Sequence, residues 1–251
     1  MQRLLEATAR AERDHFWFRG FRRFVEPFVR QAAAGRPDAR ILDCGSGTGV
    51  NLSLLARYGT PVGIDLTWTG LSFARSRGER HLAQASAARL PFADAVFDVV
   101  ASFDVMQTLP DEDEKAALRE MHRVLRAGGR LVVSAAAIEL LRGNHSLLAQ
   151  EVRRYTRRTL AERLTRAGFD IERLTYTNAT IAPLVAAVRL LQRVTGHEAS
   201  NQEISIPPAP FNAALTGVLT LEAAALRVVN MPFGSSVLAL ARKRGHSTFG
   251  D

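Results

Sequence analysis

Apolar and polar positions along the chain divide it into short runs of two kinds. Runs of four to seven mostly apolar residues bounded by turn formers recur at 39–44, 60–65, 96–102 and 130–136, with a weaker one near 81–85. Between them lie stretches with apolar positions three and four apart, at 49–58, 68–77 and 112–126. The first kind predicts buried strands and the second predicts amphipathic helices. Strand and helix in strict alternation predict a parallel sheet covered by helices on both faces. Residues 1–34 read as helical, with an aromatic cluster at 16–18, and residues 35–38 as a turn. Leu90-Pro91-Phe92 reads as a turn, and Ala127-Gly128-Gly129 as the glycine cap that ends the helix 112–126.

Beyond 136 the pattern changes. Residues 137–155 carry no clear period. Thr156 has the form of an N-cap for a helix ending at Gly168, and Phe169–Tyr176 alternates as a strand does. An apolar helix, 181–194, follows with Pro183 in its first turn, then a polar loop (196–210), a second helix (211–229) and a closing strand (235–241). Neither helix has the uninterrupted apolar run of about 18 residues that a membrane span needs. A lid, a dimer contact, a membrane-surface face and plain core packing all remain open for this 180–230 pair.

Composition changes this picture little. The chain has 251 residues, is 47% hydrophobic and carries a net charge of +8, which fits one domain with a sizeable core. Of its basic residues only Lys115 and Lys243 are lysine, a bias that argues for genomic composition rather than a nucleic-acid surface. Two stretches, 1–40 and 142–168, are locally basic, and over a site mouth they would suit an anionic acceptor. Met1–Glu6 lacks the apolar core of a secretory leader, and the single cysteine, Cys44, excludes an internal disulfide; both point to the cytoplasm. No spacing of histidine, cysteine and acid predicts a metal.

The candidate chemistry sits at Ile41-Leu42-Asp43-Cys44-Gly45-Ser46-Gly47-Thr48-Gly49. A strand, a glycine loop and a helix make a nucleotide cradle. The dinucleotide pattern G-x-G-x-x-G would need glycine at Val50, and an acid at 43 would repel a pyrophosphate. Asp43 instead suits a ligand that carries positive charge. Pro61-Val62-Gly63-Ile64-Asp65 ends a second strand in an acid placed to accept ribose hydroxyls.

With Phe97–Ser102 and Glu120–Leu131, these segments resemble, in order, the motifs of the class I S-adenosylmethionine-dependent methyltransferases. The resemblance implies a seven-stranded doubly wound sheet, its last strand antiparallel between the fifth and sixth. It divides the chain into an N-terminal helical cap (1–34), a cofactor-binding core (39–136) and an acceptor-side half (137–251). The flanks are similar to a narrower group, through His15-Phe16-Trp17-Phe18-Arg19-Gly20, Arg153-Arg154-Tyr155-Thr156 and Pro232-Phe233-Gly234-Ser235-Ser236, whose members accompany glycan, lipid or secondary-metabolite pathways.

The resemblance implies that S-adenosylmethionine lies against Gly45, Ser46, Gly47 and Gly49. Asp43 would order its amino-acid end, Asp65 its ribose, Leu66 its adenine, and Trp17 and Arg19 would cap it. Ser86 and Ala87 stand where the family places an acid for the adenine amino group, and Phe103 and Thr108 follow the fourth strand. For the acceptor side it implies His145, Tyr155 and Arg154 as catalytic candidates, His145 being the one base near neutral pH. The expected activity is methyl transfer to oxygen or carbon of a small lipid, glycan or secondary metabolite. A protein that holds the cofactor without transfer, such as a cyclase, is the alternative, motivated by Ser86, Ser146 and Glu151 where the family has other residues.

Overall fold

The computed structural model describes residues 2–139, 150–187 and 206–245. Helices α1 (Gln2–Ala11) and α2 (Phe16–Ala33) precede β1 (Arg40–Cys44), α3 (Leu52–Leu55), β2 (Thr60–Asp65), α4 (Trp68–Ser76), β3 (Leu82–Gln84) and β4 (Phe97–Phe103). Then come a 3-10 turn at Met106–Thr108, α5 (Asp111–Val124), β5 (Leu125–Ala136), α6 (Arg157–Arg166), β6 (Phe169–Thr177), α7 (Ala209–Ala225) and β7 (Ser236–Lys243). The strands form one seven-stranded sheet ordered β3-β2-β1-β4-β5-β7-β6, with β7 antiparallel to both neighbours. This is the expected doubly wound sheet with its last strand inserted and reversed.

The strand order reverses between β1 and β4, which lie side by side with Asp43 opposite Ala101. Loops leaving the C-terminal ends of these two strands turn to opposite faces, and the crevice between them is where open α/β sheets take ligands. One apolar core lies on each face. On one, Leu42, Phe97, Met121, Tyr155 and Phe169 pack under α5 and α6; on the other, Phe24, Phe28, Ile41, Val99 and Leu219 pack under α2 and α7.

Several local expectations are corrected. The helical reading of residues 1–34 holds, divided into two helices: the chain breaks at residues 12–15, and His15 caps α2 by accepting from the Trp17 N–H at 3.1 Å. The helix after the glycine loop is a single turn, Leu52–Leu55. Residues 127–129 are not a helix cap, because α5 stops at Val124 and β5 begins at once. There Phe97 pairs with Leu125 and Val99 with Arg130, so the glycines absorb a bulge, with Gly128 at φ +68°.

The second helix of the 180–230 pair has a packing role on its inner side. A Cβ on Gly20 would collide with Leu219, so α2 and α7 cross in close contact. Asn212 joins the two helices: its Oδ1 accepts from the Phe16 N–H at 2.8 Å and its Nδ2 donates to the Asp14 carbonyl at 2.8 Å. Glu222, buried, holds the start of the preceding segment by accepting from the N–H groups of Ala179 and Thr180. The outer side of α7 exposes Phe211, Val218 and Leu221. Among the described residues no helix is long and apolar enough to cross a membrane.

Asn212→Ala removes an N-terminal hydrogen-bond partner of α2 and a donor to the break before it, and should cost about 1–2 kcal/mol of stability. Urea unfolding at constant m-value measures it; an unchanged midpoint would show that the α2–α7 contact stands without this link.

Candidate functional site

The glycine loop is held in place by backbone. Gly45 N–H and Ser46 N–H both donate to the Ile64 carbonyl, at 2.8 and 2.7 Å, which ties the end of β1 to β2. Gly45 has φ +91°, and a Cβ there would collide with Val105 of the β4 loop, so only glycine serves. Gly47, at φ +50°, has open space where its Cβ would be. Gly49 closes the loop, donating to the Ser46 carbonyl at 2.8 Å and lying against Ala74 of α4.

Two carboxylates flank this loop. Asp65 is engaged: Oδ2 accepts from Gly47 N–H at 2.8 Å, and Oδ1 accepts from the backbone and hydroxyl of Thr67 at 2.8 and 2.5 Å. Asp65 therefore shapes the loop and the entry to α4, with part of its acceptor capacity left over. Asp43 is the opposite case. It is 1% exposed, and neither carboxyl oxygen has a partner among the described residues. Burial, then the nearby charge of Asp65, pushes its pKa up to about 7. The hydroxyl of Ser46 is also buried and unpartnered. Buried polar groups are nearly always paired, so a cluster of orphans beside an open glycine marks a place prepared for a ligand.

A cation fits that place. S-adenosylmethionine brings an ammonium and a sulfonium, which would let Asp43 ionise, and an amino-acid end that would use Ser46. The donor set thus matches the cofactor the sequence implied. Leu66, the residue the resemblance sets against adenine, is 68% exposed just past β2, with Gln84 Nε2 donating to its carbonyl. Ser86 Oγ accepts from Ala88 N–H at 3.2 Å and shapes the turn beyond β3, leaving Ala87 half-buried in that turn.

The N-terminal cap reaches the loop through residues that the sequence did not single out. Glu12, buried, accepts from Thr48 Oγ1 at 2.6 Å and pairs with Arg77; Arg77 also donates to the carbonyls of Thr48 and Ala9. Trp17 is half-buried against the core beneath α2, and Arg19 is half-buried nearby. Phe103 is buried and meets Phe21 edge to face, so it serves as packing at the end of β4. Thr108 donates to the Val105 carbonyl at 2.8 Å.

The acceptor-side candidates separate. His145 lies outside the described residues. Tyr155 is a core residue: it is 1% exposed and its hydroxyl lies 2.8 Å from Glu114 Oε1 and 3.2 Å from the Met106 carbonyl. Burial and the Glu114 charge push its pKa up, so it keeps its proton and holds α5 to the segment that precedes α6. Arg153 pairs with Glu114 and Asp111 of α5. Arg154 pairs with Glu151 at 3.0 Å and donates to the Ala137 and Ile138 carbonyls just past β5. Cys44 is buried with its thiol pKa pushed up, which suits packing and not nucleophilic chemistry.

Comparison with known proteins agrees with this geometry. Residues 42–133 match the model of the methyltransferase domain. The chain is 36% identical over 128 residues to the ubiquinone/menaquinone biosynthesis C-methyltransferase UbiE of Vibrio parahaemolyticus, covering 45% of this chain and 48% of that protein. It is 29% identical over 201 residues to UbiE of Shewanella sp. (strain ANA-3), covering 64% and 77%. The chain thus spans about half the length of the first of these curated relatives. Among solved structures, the [4+2]-cyclase SpnF superposes with a TM-score of 0.57 at 22% identity, covering 88% of this chain and 80% of that one. A possible histamine N-methyltransferase of Thermotoga maritima superposes with a TM-score of 0.57 at 21% identity, covering 91% and 93%. Phosphoethanolamine N-methyltransferase 2 of Haemonchus contortus, solved with S-adenosyl-L-methionine, gives 0.56 at 18%, covering 87% and 52%. These likenesses show the fold.

The state of Asp43 has a measurable consequence. Its folded pKa of about 7 stands above the unfolded value of 3.8, so the proton it holds favours the folded state. That contribution is full below pH 3.8 and is lost as pH rises to about 7. Asp43→Asn should leave stability in acid unchanged and raise the melting temperature of the ligand-free protein increasingly from pH 4 to pH 8. A variant no more stable than wild type at pH 8 would show that the carboxylate has a partner.

Proposed function

We propose that this chain, built around a methyltransferase domain, binds S-adenosylmethionine in the crevice between β1 and β4 and transfers its methyl group to oxygen or carbon of a small acceptor. One observation carries the reading above the rest: a buried carboxylate at the end of β1, without a partner among the described residues, in front of a glycine loop open at Gly47. Such a carboxylate costs stability unless a cation meets it.

The cofactor supplies a methyl group on a positively charged sulfur. The chain supplies position and dryness, which suffice for most of an in-line displacement. Asp43 holds the ammonium end and becomes charged in doing so. Asp65, already fixed by Gly47 and Thr67, accepts from the ribose. Leu66 would pack on the adenine, and Ser86 and Ala87 would offer it hydrogen bonds. The α1–α2 cap, anchored on Thr48 through Glu12, keeps water from the loop; Trp17 and Arg19 belong to this cap.

For the acceptor, the relatives' names favour a small aromatic of the quinone-precursor type and carbon as the methylated atom. The flanking segments 15–23, 153–156 and 232–237 favour the narrower glycan, lipid or secondary-metabolite group, with a cytoplasmic setting. A dimer or membrane-surface contact through 180–230 belongs to the same reading, because the outer side of α7 is apolar.

Calorimetry with S-adenosylhomocysteine and with NAD tests the cofactor assignment: the first should bind and the second should not, and binding of NAD alone would refute it. Asp65→Ala should weaken S-adenosylhomocysteine binding by about 1–3 kcal/mol, the worth of a hydrogen bond to a charged group. Labelled cofactor incubated with an extract of the producing organism should pass its methyl group to a small molecule. Tight cofactor binding without transfer would favour a cyclase-type reaction instead.

A further inference from the structure

The loop after β4 holds an acid that no part of the cofactor assignment uses. Asp104 lies three residues past Ala101, the residue opposite Asp43, and so stands level with the glycine loop on the neighbouring strand. The next residue, Val105, is the one that packs against Gly45. Asp104 is therefore at the crevice where the strand order reverses, on the side away from the adenine. Its backbone has φ +57°, an uncommon conformation for a residue with a side chain. Its N–H donates to the Ser134 carbonyl at 3.0 Å, which fixes the turn.

The carboxyl is oriented from three directions. Ser134 Oγ of β5 donates to Oδ1 at 3.1 Å, and the Gln107 side chain, in the 3-10 turn, favours its charged form. Glu151 and Arg154, themselves paired, act on it through their charges from the segment before α6. Gln107 is 5% exposed, its side chain acts on the Asp104 carboxyl, and its side-chain carbonyl has no partner among the described residues. A buried acceptor left open beside an oriented carboxylate marks room for a ligand hydroxyl. Solvent reaches Asp104, while protein surrounds its carboxyl closely enough to make desolvation the largest influence on it.

We propose that Asp104 is the general base of the methyl transfer, and that the acceptor is a phenol or enol whose hydroxyl proton Asp104 removes. This rests on the methyltransferase reading and deepens it. The hydroxyl gives its proton to the carboxylate, and the oxygen's electron pair forms the new bond to the methyl carbon, either directly or through the conjugated carbon beside it. The sulfur–methyl bond breaks and its pair stays on sulfur. After attack at oxygen, the proton passes from Asp104 to solvent. After attack at carbon, that carbon loses its hydrogen to solvent as the oxygen takes the proton back from Asp104. One proton leaves in either case. Desolvation, with Glu151 adding and Ser134, Gln107 and Arg154 opposing, raises the Asp104 pKa to about 6, so at neutral pH it is ionised and still basic enough to act.

The test uses Asp104→Asn in the full chain. Calorimetry with S-adenosylhomocysteine comes first: no binding by the wild type would fall on the methyltransferase reading beneath, whereas equal binding by wild type and variant isolates the base. With 1,4-dihydroxynaphthalene as a defined phenolic probe and labelled cofactor at saturation, the variant's kcat should fall about 100-fold or more. Wild-type kcat should rise with pH through about 6, and Glu151→Gln should move that limb to lower pH by removing a neighbouring negative charge. A variant with wild-type kcat, or a limb that Glu151→Gln leaves in place, overturns the proposal. If the wild type does not turn the probe over, carbon-13 NMR of the Asp104 carboxyl in the S-adenosylhomocysteine complex decides. Titration near 6, shifted down in Glu151→Gln, upholds the proposal; titration near 4 overturns it.

Discussion

The C-terminal edge of this sheet is organised by the reversal of strand order between β1 and β4. Because the loops leaving these strands part to opposite faces, a crevice opens between the ends of β1 and β4, and the glycine loop borders it. Asp43 is the residue that falls at this point. In a strand interior an unpaired carboxylate would be a defect; here it lies beside a glycine loop with open space at Gly47, and among the described residues nothing partners it. The free protein answers by holding a proton on it. Much else in the site follows from keeping the space at Gly47 open. Gly45 has no Cβ so that Val105 can close the wall, and Gly47 has none so that the floor stays free.

Asp65 shows how the same residue type takes a different role one strand away. It spends its oxygens on Gly47 and Thr67, holding the loop and the start of α4 in place. The α1 helix secures the loop from outside: Glu12, Thr48 and Arg77 form a buried link from the N-terminal cap to the helix after β2. That link makes the cap part of the cofactor side, while α7 reaches the same cap from the other direction through Asn212 and Gly20. The 180–230 insertion is thereby joined to the site through α2.

What the sequence made legible was what hydrophobic period and glycine spacing encode. The apolar runs at 39–44, 60–65 and 96–102 became adjacent parallel strands, and Asp43 and Asp65 fell at their ends as expected. The misses have physical causes. Ala127-Gly128-Gly129 carries the composition of a helix cap, but a bulge needs the same left-handed freedom, and only the pairing of Phe97 with Leu125 distinguishes the two. Tyr155 is a candidate only through the resemblance of residues 153–156 to the narrower group; its partner Glu114 lies in a helix distant in sequence, which no local pattern reveals. Glu12 sat in a run of mixed charge with no period. Asp104 did carry a signal, an acid directly after an apolar strand.

The account turns on whether Asp43 gains its charge when a cationic ligand arrives. Calorimetric titration with S-adenosylmethionine at pH 6.5, repeated in buffers of different ionisation enthalpy, counts the protons exchanged on binding. A free carboxyl with a pKa of about 7 must give up its proton, so most of one proton should be released per ligand bound by the wild type and none by Asp43→Asn. Binding by the wild type without proton release would contradict the account, because it would mean that Asp43 was charged already or never meets the ligand's positive end.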